Sequence, residues 1–489
     1  MLRHKTQRWV VRGKWLLPCE GKVDREARRK GFGQSISVFV KTVTLFAAVM
    51  AASLIPQAVS AQVDDTGILI DHVWSGHPVG FDILTERGHQ FIAYYDADRR
   101  LTVLGRKLNE AGSTRVQPEG VAVPRRKRMS NVLGWDSHNS LKMALDRDGC
   151  LHLSGNMHAD PLVYYRTREP FDVSTLERVD RMTGQRESVV TYPHFFKNAE
   201  GDLIFRYRHG GSGNGSDYYN IYDVRSREWS RLIEGSLLDG EGTRNAYSTG
   251  PVRSPDGSYH MVWMWRDTPD AATNHTLSYA HSRDLIHWQT SAGQALELPI
   301  TIQTGEVIDA AAPGEGLINM CFNIGFDAQN RPFVSYHRYD AEGHSQAYVA
   351  RPDRTGEWLI RSLSEWDFRW GFSGGGSIAG EVRLGAPVLT DEGAMILNYS
   401  TNAAGNGRWY FDSDSLELLP PPSRAAEPSE PKLALNYTGS DYPGMQSKSV
   451  SSASQEGRWI LRWETLGRNR DHARDVIPPP TELRLYQIH

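Results

Sequence analysis

Five side chains of this protein combine types that can carry out acid–base chemistry on an anionic substrate. They lie in the segments WDSHNSL, SGNMHADPL, TYPHFF, RYRHGG and MWRDTPD, as His138, His158, Tyr192, Arg208 and Arg266. Arginine offers a planar fork of donors that stays charged, so the two arginines indicate a bound carboxylate, sulfate or phosphate. The histidines and the tyrosine can supply a general base and a general acid.

This set of side chains fits an elimination next to a carboxylate better than it fits hydrolysis. A cation on a uronate carboxylate stabilises the enolate-like charge that forms when the neighbouring carbon loses its proton. A neutral histidine can take that proton, and a tyrosine can protonate the departing glycosidic oxygen. Glycoside hydrolysis ordinarily needs two carboxylic side chains, whereas the nearby Asp136, Asp160 and Asp267 do not occupy matching positions in successive sequence repeats.

A turn-and-strand unit recurs along the chain and determines where these residues lie. Seven turn residues, about 50 to 75 residues apart, each precede a strand of alternating apolar and aromatic residues. They are Gly88, Gly149, Gly201, Gly257, Asn330, Gly393 and Gly457. Glycine and asparagine tolerate the positive φ of hairpin turns, and each interval has room for four strands and a loop. The repeat predicts an all-β fold, a seven-bladed β-propeller.

A propeller places equivalent positions of adjacent blades side by side around its axis. His138 and Tyr192 lie ahead of inner-type strands in consecutive units. His158, Arg208 and Arg266 are predicted to lie shortly past the ends of the strands that begin at the next turn residues. We therefore expect the five side chains to converge on one part of the surface.

The N-terminal region differs from the repeats in composition. Residues 1–61 are predicted to be a leader and secretory signal, because a basic stretch precedes an apolar core that ends in small residues. Residues 66–489 are predicted to form a single seven-bladed β-propeller catalytic domain. The apolar core is shorter than an ordinary membrane span. We expect a secreted or periplasmic monomer that has no membrane or nucleic-acid partner.

Charge and cysteine content narrow the function classes further. The 55 Lys and Arg nearly balance the 58 Asp and Glu, so there is no overall basic field for nucleic acid. Only Cys150 and Cys321 follow the signal, which excludes a disulfide framework and leaves one bridge, buried thiols or a metal ligand open. A third histidine near the candidate site, His152, alternates within a strand and is predicted to be a structural or solvent-facing residue.

The segments HNSL, GNMHADPLVYYR, YPHFF, FRYRHGGSGNG and TNHTLSYAHSRDLIHW carry a family resemblance. The chain resembles the BNR-repeat-like, seven-bladed β-propeller polysaccharide lyases of the ulvan lyase type, together with the related L-rhamnose-α-1,4-D-glucuronate lyases. The resemblance implies a secreted lyase that cleaves rhamnose–uronic acid linkages of an anionic polysaccharide by β-elimination and leaves an unsaturated uronate.

The resemblance also implies roles for individual residues. The implied catalytic residues are His138, His158 and Tyr192. The implied substrate-binding residues are Arg208, which would neutralise the uronate carboxylate, and Tyr247 and Arg266. The chemistry requires no cofactor, but related propellers carry a structural metal ion, here zinc or calcium. His281 is one available donor, and the ligands that we predict are His275, Cys321 and His337, since mixed His/Cys ligation suits zinc.

Three other functions remain open at this point. An exo-acting L-rhamnose-α-1,4-D-glucuronate lyase on gum side chains would share the chemistry and differ in the loops that close the cleft. A propeller glycoside hydrolase would need a pair of carboxylates. A carbohydrate-binding lectin would repeat one motif in every blade, whereas the polar residues of this chain concentrate in neighbouring repeats.

Overall fold

All seven predicted turn residues adopt a positive φ in the computed structural model, which describes residues 67–421 and 438–488. The φ values run from 60° at Asn330 to 117° at Gly457. Each turn joins neighbouring antiparallel strands of one sheet, so the prediction of hairpin turns is confirmed. The predicted leader and secretory signal at residues 1–61 lie outside the described residues.

Seven antiparallel sheets of four to six strands contain nearly all of the strands in the described residues. The first three, which we call sheets 1 to 3, have four strands each and follow one another along the chain. Sheet 1 contains Asp82–Glu86, His89–Tyr95, Leu101–Lys107 and Thr114–Val116. Sheet 2 contains Leu141–Leu145, Leu151–Gly155, Tyr164–Thr167 and Leu176–Arg178. Sheet 3 contains Val190–Lys197, Leu203–Gly211, Asn214–Asp223 and Glu228–Arg231.

The next three sheets continue this order with small irregularities. Sheet 4 contains Asn245–Arg253, Tyr259–Arg266, Asn274–Ser282, Trp288–Gln289, Ala295–Leu296 and Glu306–Asp309. Sheet 5 contains Phe322–Phe326, Pro332–Tyr339, Ser345–Pro352 and Trp358–Ser362. Sheet 6 contains Val382–Leu384, Val388–Leu389, Met395–Thr401, Gly405–Phe411 and Leu418–Leu419. Its first strand is split in two, and both pieces pair with Met395–Thr401.

Sheet 7 joins the two ends of the described chain. It contains Ile68–Val73, Met445–Ser454, Gly457–Leu466 and Thr481–Ile488. The strand nearest the N-terminus pairs with the last strand, with Ile68 opposite Leu485 and Val73 opposite Thr481. Sheet 7 is therefore built from both ends of the described chain.

A few short elements make up the remaining regular secondary structure of the described residues. None of them is an α-helix. A two-stranded sheet pairs Ala122–Val123 with Arg128–Met129. The 3₁₀ helices are Pro124–Arg126, Val173–Thr175 and Ala271–Thr273. Within residues 67–421 and 438–488, no helix has the length and apolar character needed to cross a membrane. The all-β prediction is confirmed.

Aromatic side chains pack between the neighbouring sheets 2 and 3. Trp229 of sheet 3 is buried, and its Nε1 donates to the Tyr164 hydroxyl of sheet 2 at 3.1 Å. The ring of His152, also in sheet 2, lies 5.7 Å from the Trp229 ring. His152 is fully buried and bonds Asp146 at 3.2 Å, which makes this histidine part of the core. Of the two predicted alternatives, the structural role is confirmed and the solvent-facing position is wrong.

Candidate active site

The hairpin at the start of sheet 2 brings the two candidate histidines together. His138 precedes the strand Leu141–Leu145, and His158 follows the strand Leu151–Gly155. Because the two strands are antiparallel, both histidines lie at the same end of the hairpin. Their ring centroids are 4.2 Å apart.

The other candidates reach this end from sheets 3 and 4. Tyr192 lies in the first strand of sheet 3, at a bulge that interrupts the pairing between Thr191 and His194. Arg208 and Arg266 were expected past the ends of their strands, and this placement is wrong. Arg208 lies inside Leu203–Gly211 and Arg266 is the last residue of Tyr259–Arg266. The glycine-rich segment after Arg208 continues the ladder to a tight hairpin, in which Gly211 pairs with Asn214.

Asp136 holds both histidines, and sequence reasoning missed this role. Its Oδ1 lies 2.7 Å from His138 Nδ1, and its Oδ2 lies 2.6 Å from His158 Nδ1. The carboxylate also accepts the His138 backbone N–H at 3.0 Å, which forms a tight turn. Each Nδ1 is thereby engaged, which leaves Nε2 as the ring nitrogen for a substrate in the cavity that both histidines line.

The electrostatics of this trio favour a neutral histidine beside a charged carboxylate. Burial alone would raise the pKa of Asp136, but its hydrogen bonds and charge interactions with His138 and His158 dominate and lower it. Burial lowers the pKa of His158 below its usual 6.5, and the nearby His138 and Arg208 act in the same direction. Asp136 opposes this shift without cancelling it. His158 is therefore a neutral base near pH 7.

A second carboxylate, Asp471, reaches the histidine loop from the C-terminal part of the chain. Its Oδ1 accepts from the backbone N and the Oγ of Ser137 at 3.1 and 3.0 Å. Its Oδ2 accepts from the backbone N of Ser377 at 3.0 Å and lies 3.5 Å from His138 Nδ1. Asp471 therefore fixes the position of the loop that carries His138.

The backbone at Tyr192 is held in an unusual conformation. Its φ is 57°, in the left-handed region that residues other than glycine rarely adopt. Its ring centroid lies 6.0 Å from that of His138 and 6.3 Å from that of His158. Burial, and then the neighbouring Tyr247, raise the pKa of Tyr192 above its usual value. The Tyr192 hydroxyl therefore stays protonated and can act as an acid.

Two buried arginines, Arg208 and Arg266, lie beside Tyr247. Nη1 of Arg208 and Nη1 of Arg266 each lie 3.4 Å from the Tyr247 hydroxyl. Burial opposes ionisation of Tyr247, but the two guanidinium charges outweigh it and lower the pKa of the phenol. Arg208 is only 2% exposed, and within the described residues neither arginine forms an ion pair with a carboxylate. Buried cations without a counter-ion favour an anionic ligand.

One cavity of about 330 Å³ collects these side chains. His138, His158, Tyr192, Tyr247 and Arg266 line it directly, and Arg208 lies behind, with its guanidinium 4.9 Å from the Tyr192 ring. The sequence interpretation overlooked several further lining residues, among them Arg206, Ser212, Asp217, Asn319 and Arg468. Arg468 follows the third strand of sheet 7 and enters the cavity only because the fold closes on itself.

The Arg206–Asp217 ion pair supports the wall of this cavity. Nη2 of Arg206 lies 2.7 Å from Asp217 Oδ2, and the same guanidinium donates to the Gly250 carbonyl at 2.8 Å. Asp217 is 2% exposed. Removing one partner of a buried pair leaves the other charge uncompensated, which is more costly than losing an exposed pair.

We expect Asp217→Ala to lower the free energy of unfolding by about 3 to 5 kcal/mol, because it leaves Arg206 buried without its carboxylate. Urea denaturation followed by tryptophan fluorescence measures this change. The double variant Arg206→Met/Asp217→Leu is the matched control and should recover most of the loss. A single variant as stable as the parent chain would show that the pair does not support the fold.

The predicted three-ligand metal site is wrong as a set. Within the described residues, the three side chains His275, Cys321 and His337 do not bring their ligand atoms within reach of one ion. His275 Nε2 bonds Asp267 Oδ1 at 3.0 Å, and His337 Nδ1 bonds the Gly316 carbonyl at 2.7 Å. Burial raises the pKa of the Cys321 thiol to about 12, which disfavours the thiolate that a metal needs.

Asp136, His138 and His158 form the single group among the described residues whose ligand atoms lie close enough to hold an ion. The nitrogen-to-oxygen distances of 2.6 and 2.7 Å are those of hydrogen bonds. Two ligands on one tetrahedral zinc ion lie about 3.3 Å apart. The geometry of this trio therefore fits a proton shared between imidazole and carboxylate.

Comparison with known families agrees with the repeat pattern. Residues 89–366 match the sequence profile described as a BNR repeat-containing family member, and this range is more than half of the 489 residues. The chain belongs to the BNR repeat-containing family. The matched range includes all six residues that were predicted to be catalytic or substrate-binding.

Curated relatives match shorter regions. The short isoform of ulvan lyase from Alteromonas sp. (strain LOR) is 26% identical over 142 residues, which cover 26% of this chain and 27% of that protein. The long isoform of ulvan lyase from Glaciecola sp. (strain KUL10) is 33% identical over 61 residues, which cover 12% of this chain and 6% of that protein. The chain thus matches about a quarter of the first relative's length and much less of the second.

Solved structures match over most of the chain. Polysaccharide lyase Uly1 superposes with a TM-score of 0.54 at 16% identity, over 84% of this chain and 90% of that one. A PL25 ulvan lyase superposes with a TM-score of 0.55 at 13% identity, over 86% of this chain and 95% of that one. At these identities the likeness lies in the fold, which is of the same propeller type.

Proposed function

We propose that this protein is a polysaccharide lyase that cleaves rhamnose–uronate linkages of an ulvan-like polymer by β-elimination. The observation that carries the proposal is one cavity lined by a carboxylate-held histidine pair, a protonated tyrosine and Arg266, with the buried Arg208 next to the tyrosine ring. The chain's similarity to ulvan lyases in sequence and fold supports it. The proposed chemistry needs no metal ion or organic cofactor.

We assign the base to His158. Its Nδ1–H donates to Asp136, so Nε2 carries the lone pair that accepts a proton, and burial keeps the ring neutral. The C5–H bond of the uronate breaks, its proton moves to Nε2, and its electron pair forms the C4–C5 double bond. The positive charges of Arg266, which lines the cavity, and of the buried Arg208, 4.9 Å from the Tyr192 ring, stabilise the enolate-like charge on the carboxylate at that stage.

We assign the acid to Tyr192. The C4–O bond breaks as the double bond forms, and the departing oxygen takes the Tyr192 hydroxyl proton. The products are a 4,5-unsaturated uronate on one fragment and a new reducing end on the other. His138, stacked on His158 and lining the cavity, contacts the sugar together with Tyr247 and Arg266.

Tyr192→Phe is expected to lower kcat by about 100-fold or more, because only the proton donor is lost. The substitution keeps the ring and the strained backbone, so the unfolding midpoint should stay unchanged. Initial rates at saturating substrate and a thermal melt measure the two effects. An unchanged kcat would remove Tyr192 from the acid role.

The pH profile of kcat should report the lowered pKa of His158. A base acts in its deprotonated form, so a lowered pKa keeps the enzyme active as the pH falls below 6.5. We expect the acid limb of the profile to fall below that value. An acid limb centred above pH 6.5 would contradict the assignment of a buried, neutral His158 as the base.

We further propose that the sheets form a ring of seven blades. Seven sheets of four or more strands lie within the described residues, and the pairing of the first strand with the last supports a closed ring. Export as a monomer into the medium or periplasm fits a polymeric substrate, and the apolar segment ahead of Gln62 supports it.

Incubation of the purified protein with ulvan tests the proposed function, with ultraviolet absorbance of the unsaturated uronate as the readout. A rhamnose-capped glucuronate oligosaccharide in parallel separates internal cleavage of the polymer from release of terminal rhamnose. We expect absorbance to rise together with the number of reducing ends. New reducing ends without that absorbance would overturn the proposal in favour of hydrolysis.

A further inference from the structure

A second and larger groove lies at the other end of the strands. It has a volume of about 910 Å³ and is lined by residues of sheets 4, 5 and 6. His260 lines it near the start of the strand Tyr259–Arg266, whereas Arg266, at the end of that strand, lines the candidate active site. Six residues of extended strand separate the two sites by about 20 Å. The groove is therefore distinct from the catalytic cavity.

A buried guanidinium at this groove lacks a counter-ion. Arg351 is 8% exposed and donates to the Pro352 carbonyl at 3.1 Å and to the Asp414 carbonyl. Within the described residues it forms no ion pair with a carboxylate, because the Asp414 carboxylate pairs with Arg331 at 2.7 Å. Nε of Arg351 is buried and has no hydrogen-bond partner. A buried cation in this state is costly unless an anion approaches it.

Two more arginines lie at the exposed edge of the groove. Arg283 follows the strand Asn274–Ser282 in sheet 4, and Arg354 follows Ser345–Pro352 in sheet 5. Both are exposed, and neither forms an ion pair among the residues that the structure describes. Both line the same groove from neighbouring sheets, together with the buried Arg351.

Of the three acidic residues that line the groove, Asp414 pairs with Arg331, and the other two bond within their own turns. Asp256 accepts from the Ser254 and Ser258 hydroxyls at 2.5 and 2.6 Å. Asp353 accepts from the backbone N and the Oγ of Thr355 at 2.8 and 2.7 Å. These bonds fix the carboxylates within their hairpins, so they leave the three arginines without direct partners.

Neutral polar groups complete the floor. Ser258 Oγ lies 2.8 Å from His260 Nε2, and His260 Nδ1 lies 2.6 Å from the Tyr279 hydroxyl. All three residues line the groove. Burial lowers the pKa of His260 to about 3, so this relay is uncharged at neutral pH. The hydroxyl groups of a sugar can bond the neutral polar groups of this floor, and its anionic groups can bind the arginines at the edge.

We propose that this groove is an ancillary docking site for an anionic polysaccharide, whose carboxylate or sulfate groups bind Arg283, Arg351 and Arg354. The identity of the polysaccharide rests on the proposed function. A polymer held there stays close to the catalytic cavity, since binding at one site raises the effective concentration of the same chain at the other. A short oligosaccharide cannot span the two sites and gains nothing from the groove.

The double variant Arg283→Ala/Arg354→Ala tests the proposal. Arg351 stays in place because its removal also breaks two hydrogen bonds to backbone carbonyls. The control is Arg181→Ala/Arg225→Ala, which removes the same charge from two exposed arginines outside the groove. We expect KM on ulvan to rise about tenfold in the groove variant only, and kcat/KM on a tetrasaccharide to stay unchanged.

Binding in the inactive Tyr192→Phe background provides a second measurement. Affinity electrophoresis in gels that contain ulvan should show retention of the control double variant and loss of retention of the groove variant. Equal retention of both would overturn the docking site. Both double variants are also titrated with inorganic sulfate. If the groove variant lost sulfate binding but kept full retention on ulvan, the groove would be a small-anion site, and the proposal would be overturned.

The outcomes for the groove and for the catalytic site can be told apart. Equal retention of the two double variants, with normal cleavage of ulvan by the parent chain, removes the docking site and leaves the lyase intact. Loss of retention in the groove variant, with no cleavage by the parent chain, supports the docking site and removes the proposed lyase activity.

Discussion

Replacement of His158 by alanine is expected to lower kcat on the polysaccharide by about 1000-fold and to leave the unfolding transition nearly unchanged. The imidazole is the base in the proposed reaction, and general base catalysis contributes about 100- to 10,000-fold. Asp136 orients the ring through a 2.6 Å contact, so Nε2 is aimed without help from the substrate. Initial rates at saturating ulvan measure the effect.

His209→Ala is a suitable control for this variant. His209 lies on the neighbouring strand Leu203–Gly211 but does not line the cavity, so its loss should leave kcat within about twofold of the parent value. A thermal melt of each variant checks the fold. A His158→Ala protein that is folded and retains more than a tenth of the parent kcat would contradict the assignment of His158 as the base.

Arg208→Ala is expected to lower kcat/KM by about 1000-fold through loss of the charge that stabilises the enolate-like intermediate. Removal of a single donor from such a site costs about 100- to 1000-fold, and a guanidinium supplies two donors and a charge. Gly215 supports this position, because a Cβ there would lie 2.9 Å from Arg208 Cδ. Added guanidine should restore part of the rate to the alanine variant.

The substrate provides the control for Arg208. Methyl esterification of the uronate removes the negative charge that the arginine binds, so the parent chain and the variant should cleave the ester at similar, low rates. Comparison of kcat/KM on the acid and on the ester measures the coupling between Arg208 and the carboxylate. A loss of equal size on both substrates would show that Arg208 acts through the fold alone.

The sequence was sufficient to predict the fold class and most of the site, for an identifiable reason. A residue with a positive φ marks each hairpin, and the spacing of these residues defines units of similar size. Once the units are aligned, residues at the same end of neighbouring strands must lie close together. His138, His158 and Tyr192 follow from this argument, and Tyr247 came from family resemblance.

The side chains that connect the site were not predictable in the same way. Asp136 stands two residues before His138 and has no counterpart in the next repeat, so a search for matching carboxylates passed over it. Asp471 and Arg468 lie more than 300 residues from His138 in sequence, and only the pairing of the first strand with the last brings them near. Contacts between residues so far apart in the sequence cannot be predicted from the residues around either of them.

The metal prediction was wrong because residue types were considered without their surroundings. His275 and His337 each engage a ring nitrogen in a hydrogen bond, to Asp267 and to the Gly316 carbonyl. Cys321 is buried in an apolar cluster with Ile318 and Trp370. Side chains of metal-binding type therefore serve here as core and hydrogen-bonding residues.

The masses of the products from a defined rhamnose–glucuronate oligosaccharide test the central claim most directly. Elimination divides the substrate without adding water, so the two product masses should sum to the substrate mass, and one product should carry the double bond. The products should disappear in the His158→Ala variant. Product masses that exceed the substrate by one water would show hydrolysis and contradict β-elimination at this site.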